Sequence, residues 1–409
     1  MAHNRELVVL GRAFDGFERS FGAQLAALDG LSARHELIEI GELERRVVHG
    51  EATISGEADV LLVITDWLPA LIAAGAVRPL EPLFGERAPD GWPEAWVPAL
   101  RRLQEGPNGH SYGIPYHDGP MLFLYRRDLY EDDAEQAGFA ERFGYLLSPP
   151  TTWTQFADQA SWFDRPEQGL RGTVQAGFPD EHNNVYDFLM HLWSRGGELV
   201  TQQGRSGLDT PQARAAVEFL ADLWHGRSVV DPAAASWDSV QSGIHFADGE
   251  AAMMVNWCGF AALASDPASP THGRIGCAPV PGDGDPEHTP VTMNAYWVLA
   301  VPAGARDPER SAELIRQITT QAMDVVTALS GGSATRLDSW ADPQVAALAP
   351  YYAVLAEAHR NSRSVPVDAR WPQMAGILNE MMRRVVTDGA GEAALAAAHR
   401  QLASLLGTP

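Results

Sequence analysis

The sequence predicts an α/β protein of two lobes with a helical C-terminal segment, and three observations carry that prediction. The chain has 409 residues, more than the ~250 to 300 at which a single core stops growing. Its opening third alternates strand-like apolar runs with segments of helical spacing. The run from Ala58 to Ile64, apolar but for Asp59, does not alternate, as expected of a parallel strand covered on both faces.

Val8 to Leu10 reads as the first strand, and Phe17, Phe21, Leu25 and Leu28 follow at helical spacing. His35 to Ile40 is a second strand. Past Ile64, Thr65 or Asp66 can cap a helix that Gly75 ends. Ligands of doubly wound sheets sit beyond the carboxyl ends of the strands, which draws attention to Thr65-Asp66-Trp67. Tyr112 to Tyr116 leads into a strand over Met121 to Tyr125, and Pro149-Pro150 breaks the chain before Thr152 and Gln155, which have capping-box spacing. Gly172 to Phe178 reads as a strand and Asn184 to Trp193 as a helix. Thr210-Pro211 opens another helix, whose apolar face runs from Ala213 to Trp224 and ends at Gly226. Strands follow at Ala251 to Trp257, Arg274 to Pro279 and Ala295 to Val301, with a Gly/Asp/Pro loop over Pro281 to Pro290. The C-terminal quarter is helical: Pro308 to Leu329, Pro343 to Ala358, Pro372 to Val386 and Glu392 to Leu406.

Composition narrows the function. Thirty basic residues against 53 acidic ones give a formal net charge of −23, which disfavours nucleic acid and anionic membrane surfaces. Every cation is an arginine. The absence of lysine removes P-loop nucleotide hydrolysis and pyridoxal chemistry. No run reaches the ~18 apolar residues of a membrane span. Met1 to Gly11 enters a strand at once and lacks the regions of a signal peptide, so either Met1 is a native cytoplasmic start or a leader precedes this chain. Cys258 and Cys277 read equally as two buried small hydrophobes or as a disulfide closing a short loop.

Catalytic motifs are missing: there is no GxSxG, no HExxH and no GxGxxG after a strand. The histidine spacing favours no metal, and the Pro281 to Asp285 loop reads as a solvated turn, so neither metal nor cofactor is expected. A carboxylate pair such as Asp66 with Asp118 keeps one alternative open, a secreted glycosidase or lyase, with Glu181 as a further candidate. What stands out is tryptophan. There are 12, many beside Gly, Asp or Asn at strand ends. An aromatic face suits the C–H side of a sugar, while Asp, Asn, His and Arg serve its hydroxyls. The candidate ligand residues are Asp66, Trp67, Tyr116, His117, Asp118, Glu181, His182, Asn256, Trp257, Asn294, Tyr296, Arg336 and Trp371. Trp257 and Trp371 are expected as stacking platforms, the carboxylates and Arg336 as hydroxyl partners. A cleft arginine could equally select a sugar acid.

Several segments together resemble one family. Ala58-Asp59-Val60 followed by Leu71 to Leu80, Tyr112-Gly113-Ile114-Pro115-Tyr116, and Leu124-Tyr125-Arg126-Arg127-Asp128-Leu129-Tyr130 are similar, in that order, to segments of the maltose-binding-protein-like sugar-binding proteins of ABC transporters. Pro150-Thr151-Thr152-Trp153, Phe246 to Met253 and Pro279-Val280-Pro281-Gly282 extend the likeness over nearly the whole chain. Arg127 stands where lysine is usual. The resemblance implies a two-lobed periplasmic-binding-protein fold of type II (Venus-flytrap), with hinge strands and a cleft for the ligand. The expected lobes are 1–113 with 287–330, and 114–286 with 331–409. It implies a monomeric, non-enzymatic, extracytoplasmic component of an importer, capturing a mono- or oligosaccharide or a polyol and delivering it to membrane permease subunits by hinge closure.

Overall fold

The computed structural model describes residues 5–407. The chain divides into two compact units: unit 1 is Met1–Gly119, Asn294–Leu348 and Ser364–Trp371, and unit 2 is Pro120–Met293, Ala349–Arg363 and Pro372–Pro409. The strands, in chain order, are β1 (Leu7–Arg12), β2 (Ala33–Ile38), β3 (Val60–Ile64), β4 (Ile114–His117), β5 (Met121–Arg126), β6 (Arg171–Val174), β7 (Ala251–Trp257), β8 (Ile275–Ala278), β9 (Thr292–Met293), β10 (Trp297–Ala300) and β11 (Ser362–Arg363).

Unit 1 is built on a sheet of order β2-β1-β3-β10-β4. β1, β2 and β3 run parallel, and β10 is antiparallel to both of its neighbours. Every residue of β3 is buried, as its unbroken apolar run predicts. Asp59, just before it, is fully buried yet satisfied, because Arg5 pairs with it and Val8 N–H donates to Oδ2 at 2.9 Å. Helix Asp15–Ala26 buries Phe17 and Phe21 together with Ser20 and Gln24. Gln24 Nε2 donates to Met323 O at 2.8 Å and to Thr327 Oγ1 at 2.9 Å, joining this helix to Gln321–Leu329.

Unit 2 holds a sheet of order β6-β7-β5-β8 and a short parallel pair, β9 with β11. β5 is antiparallel to β7 and to β8, and β6 is parallel to β7. The Thr152/Gln155 capping box forms, with Gln155 N–H donating to Thr152 Oγ1 at 3.2 Å. Thr210 caps helix Pro211–Ala221 as its sequence suggests, and the helix runs on into one π-helical turn, Asp222–Gly226.

Four expectations are corrected. Neither Thr65 nor Asp66 caps the helix after β3; it begins at Leu68 behind Trp67, without a side-chain cap. The helix expected over 308–329 is two, Pro308–Ile318 and Gln321–Leu329, because Thr320 turns its hydroxyl to Met323 N–H and starts a new helix. The helix expected over 343–358 breaks at Pro350, whose ring disfavours helical backbone at Ala349; the pieces are Pro343–Leu348 and Leu355–Arg360. β6 stops at Val174 because Gly177 and Phe178 donate instead to Ala234 and Trp237 carbonyls, both at 3.0 Å.

The unit boundaries also differ from those expected. Residues 114–119 belong to unit 1, since β4 pairs with β10. Residues 331–348 join it too, because Asp324 accepts the N–H groups of Thr335 and Arg336, both at 3.0 Å. Residues 364–371 also fall in unit 1, while 287–293 lie in unit 2. No disulfide joins Cys258 to Cys277.

Candidate functional site

In unit 1 the register brings distant candidates together. Trp297 lies opposite Ile64 on one side and His117 on the other. The segment Asn294-Ala295-Tyr296 therefore enters the sheet between Thr65-Asp66, which leave β3, and Asp118, which leaves β4. Thr65 N–H donates to Tyr296 O at 3.0 Å and Tyr296 N–H to Thr65 Oγ1 at 3.3 Å. Asp66 and Asn294 are 1% exposed, Asp118 and Tyr296 0%. Trp67 is buried with its ring edge-on to Trp297, centroids 6.4 Å apart. Asp118 N–H donates to Ser333 O at 3.2 Å and its Oδ1 accepts Gly119 N–H at 2.9 Å. Among the described residues neither amide atom of Asn294 has a hydrogen-bond partner, while the hydroxyl of Tyr296 meets the backbone of Leu103 and has its pKa pushed well up by burial. A buried amide left unpaired costs ~1 to 3 kcal/mol.

Two neighbours do not belong with them. The ring of Tyr116 stacks on Phe21 at 4.7 Å and 3°, and its hydroxyl donates to Gln24 Oε1 at 2.7 Å and meets Ser20 Oγ at 2.8 Å. Its polar end is spent in the core. His117 accepts Ser333 N–H on Nδ1 at 2.9 Å and stands edge-on to Phe17. Burial, then the nearby Arg12 charge, pushes its pKa down to about 3. The ring therefore stays neutral in the fold while the unfolded chain takes up a proton below the ordinary value near 6.5. Stability from this group is present above that value and is lost as the pH falls from it toward about 3, at up to ~1.4 kcal/mol per pH unit. His117→Asn is expected to flatten the decline of the urea midpoint between pH 6 and pH 4. Equal slopes for variant and parent would show that the ring carries no such penalty.

Arg336 and Trp371 are both buried inside the fold. Arg336 is 2% exposed and its guanidinium lies over Trp96 at 4.7 Å. Its Nη1 donates to Asp90 O at 2.9 Å and Thr319 O at 3.3 Å, while Nε and Nη2 reach Asp338 at 3.1 and 3.0 Å. Four of the five N–H groups of the guanidinium are thus engaged within the protein. Trp371 is 2% exposed at the start of helix Trp371–Asp388, as deeply buried as Trp67.

Unit 2 gathers a second group at the start of helix Asn183–Trp193. Asp180 turns the chain into it, Oδ1 accepting His182 N–H at 2.9 Å and Asn183 N–H at 3.0 Å. Glu181 adopts φ 64, a left-handed backbone that non-glycine residues seldom take. Its N–H donates to Asn379 Oδ1 at 3.3 Å, an oxygen that also takes Asn184 Nδ2 at 3.0 Å. His182 Nδ1 meets Tyr186 Oη at 3.0 Å. Trp257 is half-buried, its Nε1 donating to Asn183 Oδ1 at 2.9 Å and its ring edge-on to Tyr186 at 5.6 Å. Asn256 serves the backbone instead, donating to Ser239 O at 3.1 Å and accepting Trp257 N–H at 2.8 Å. Asp187, one turn along, has its pKa pushed up to about 8 by burial and then by Asp180.

Sequence reasoning missed Asn183, Asn379 and Asp187. Asn183 sits beside the nominated Glu181-His182 and was within reach of the same reasoning. Asn379 lies inside a long helix and carried no local signal.

A sequence profile of the bacterial extracellular solute-binding proteins matches residues 44–328. The chain belongs to this family. As a solute-binding protein it is 25% identical over 216 residues to a "probable ABC transporter-binding protein" of Deinococcus radiodurans, an alignment covering 52% of this chain and 48% of that one. The chain thus spans about half the length of that relative. Among solved structures, a ribitol-bound ABC transporter solute-binding protein of Agrobacterium radiobacter K84 superposes with a TM-score of 0.86 at 21% identity, covering 99% of this chain and 100% of that one. Maltose-bound MalE3 of T. maritima gives 0.83 at 23%, covering 98% and 99%. UgpB of Mycobacterium tuberculosis, in complex with glycerophosphocholine, gives 0.79 at 18%, covering 99% of each. At these identities the likeness is one of fold, and the two-lobed α/β fold of this solute-binding protein is that of the periplasmic-binding proteins.

Proposed function

We propose that this protein is the substrate-binding component of an ABC importer and that its ligand is a sugar or polyol. The observation that carries the reading is the convergence in unit 1 of Asp66, Trp67, Asp118, Asn294 and Tyr296, drawn from three separate segments of the chain onto one edge of the sheet. Carboxylates and amides beside an indole match the alternating hydroxyl and C–H surface of a polyhydroxy compound. Solved relatives in fold hold ribitol, maltose and D-mannitol, which supports the same ligand class. Family membership implies an extracytoplasmic location. Ligand-driven approach of the two units, read by permease subunits, completes the reading.

Calorimetric titration with ribitol, mannitol, tagatose and maltose tests it, with product release followed alongside. At least one is expected to give saturable heat without turnover, and at 100 times its dissociation constant to add ~2.7 kcal/mol to native stability. Turnover would overturn the binding role. Silence across the whole panel would overturn the ligand class.

A further inference from the structure

We propose that Asn183 is a positioning residue for ligand binding: its amide fixes the plane of the Trp257 indole and so sets the angle at which the ligand meets unit 2. The proposal rests on the sugar or polyol reading and names the residue that holds its stacking platform in place.

Trp257 is the last residue of β7, and Met121 of β5 pairs with it, so the sheet fixes its backbone. The sheet leaves χ1 and χ2 of the side chain to be settled by other contacts. Among the described residues the half-buried ring meets Tyr186 edge-on, at 5.6 Å and 77°, and its Nε1 makes one hydrogen bond, to Asn183 Oδ1 at 2.9 Å. An edge contact tolerates rotation of the indole; a hydrogen bond, which weakens steeply off its axis, does not.

Asn183 is itself 6% exposed and fully committed. Its Nδ2 donates to Asp180 Oδ2 at 2.8 Å, while Asp180 Oδ1 takes the N–H groups of His182 and Asn183. A carboxylate only accepts and an indole only donates, so the amide between them has one orientation. Turned over, it would set carbonyl against carboxylate and N–H against N–H. The turn that carries the amide is held in its turn by Asn379. Oδ1 of Asn379 accepts Glu181 N–H at 3.3 Å and Asn184 Nδ2 at 3.0 Å, and its Nδ2 donates to Pro179 O at 3.3 Å. Between these anchors Glu181 keeps φ 64, a strained backbone that persists only where its surroundings over-determine it. All of these residues belong to unit 2.

The test titrates variants of the full chain with ribitol, mannitol, tagatose and maltose by calorimetry, and follows fluorine NMR of protein labelled with 5-fluorotryptophan. Asn183→Leu, which keeps the volume and removes both polar atoms, is expected to weaken the tightest ligand of the panel about five-fold. In a Trp257→Phe background, which lacks the indole N–H, the same substitution is expected to change affinity less than about two-fold. The Trp257 fluorine signal, assigned by its absence from Trp257→Phe, should shift or broaden in Asn183→Leu. Should that variant not fold, a second pair decides. Asn183→Asp alone sets two carboxylates together and is expected to weaken binding. Asp180→Asn combined with Asn183→Asp is expected to restore it, since the carboxylate at position 183 then accepts both the indole N–H and an amide N–H from position 180. Equal affinity in parent and Asn183→Leu, a loss that persists in the Trp257→Phe background, or a combined variant no better than Asn183→Asp would each overturn the positioning role. A loss of affinity with an unmoved fluorine signal would place Asn183 against the ligand itself and overturn it too. Failure of every compound to bind the parent would instead bring down the ligand class, and the proposal with it.

Discussion

Arg336→Met is expected to destabilise the protein by about 2 to 4 kcal/mol while leaving ligand affinity unchanged. The guanidinium is buried, sits over Trp96 at 4.7 Å and supplies donors to the carbonyls of Asp90 and Thr319. Methionine fills much of the volume and satisfies neither carbonyl. The ion pair with Asp338 contributes the smaller share, because that carboxylate is 42% exposed and solvent screens it. The backbone of the same residue is tied down independently, as Asp324 takes Arg336 N–H at 3.0 Å and Thr335 Oγ1 at 3.1 Å. Urea unfolding reads the first half of the expectation and calorimetry with a bound polyol the second. A variant of parental stability with affinity reduced ten-fold would restore Arg336 as a ligand-gripping arm.

Trp257→Ala is expected to weaken ligand binding by about 1 to 3 kcal/mol, roughly 5- to 150-fold. Its indole is half-buried and anchored, Nε1 on Asn183 and the edge against Tyr186. An aromatic held this way keeps a face available at low entropic cost, which a free surface tryptophan does not. Trp371→Ala should behave differently, lowering stability by ~3 to 5 kcal/mol through the cavity it leaves. Unchanged affinity in Trp257→Ala, measured with the same polyol, would remove the stacking platform from unit 2.

The difference between these two tryptophans shows where sequence reasoning reached its limit. Both follow polar residues near element ends, and both carried the same local pattern. One ended half-buried beside Tyr186 and Asn183, the other 2% exposed. The same divergence separates Asp118, at the carboxyl edge of the sheet, from its neighbour Tyr116, whose hydroxyl is absorbed by Gln24 and Ser20. Residues two apart in a strand share a face, so alternation does not separate them; β4 ends at His117, and what packs on Tyr116 decides its fate. Helix Asp15–Ala26 packs there, a hundred residues earlier in the chain.

The sequence by itself determined the strand β3 from its unbroken apolar run, the helix starts at Thr152 and Thr210 from their caps, the exclusion of lysine chemistry, and the family from short ordered segments. These are local properties, written in neighbouring residues and decided by short-range sterics and hydrogen bonds. Only the tertiary structure decided that Asn294 and Tyr296 enter between Asp66 and Asp118, that residues 331–348 return to unit 1, and that Arg336 is spent inside the fold. Strand register and side-chain burial are set by partners far along the chain, and no local pattern records whether a donor will meet a ligand or a carbonyl of its own protein.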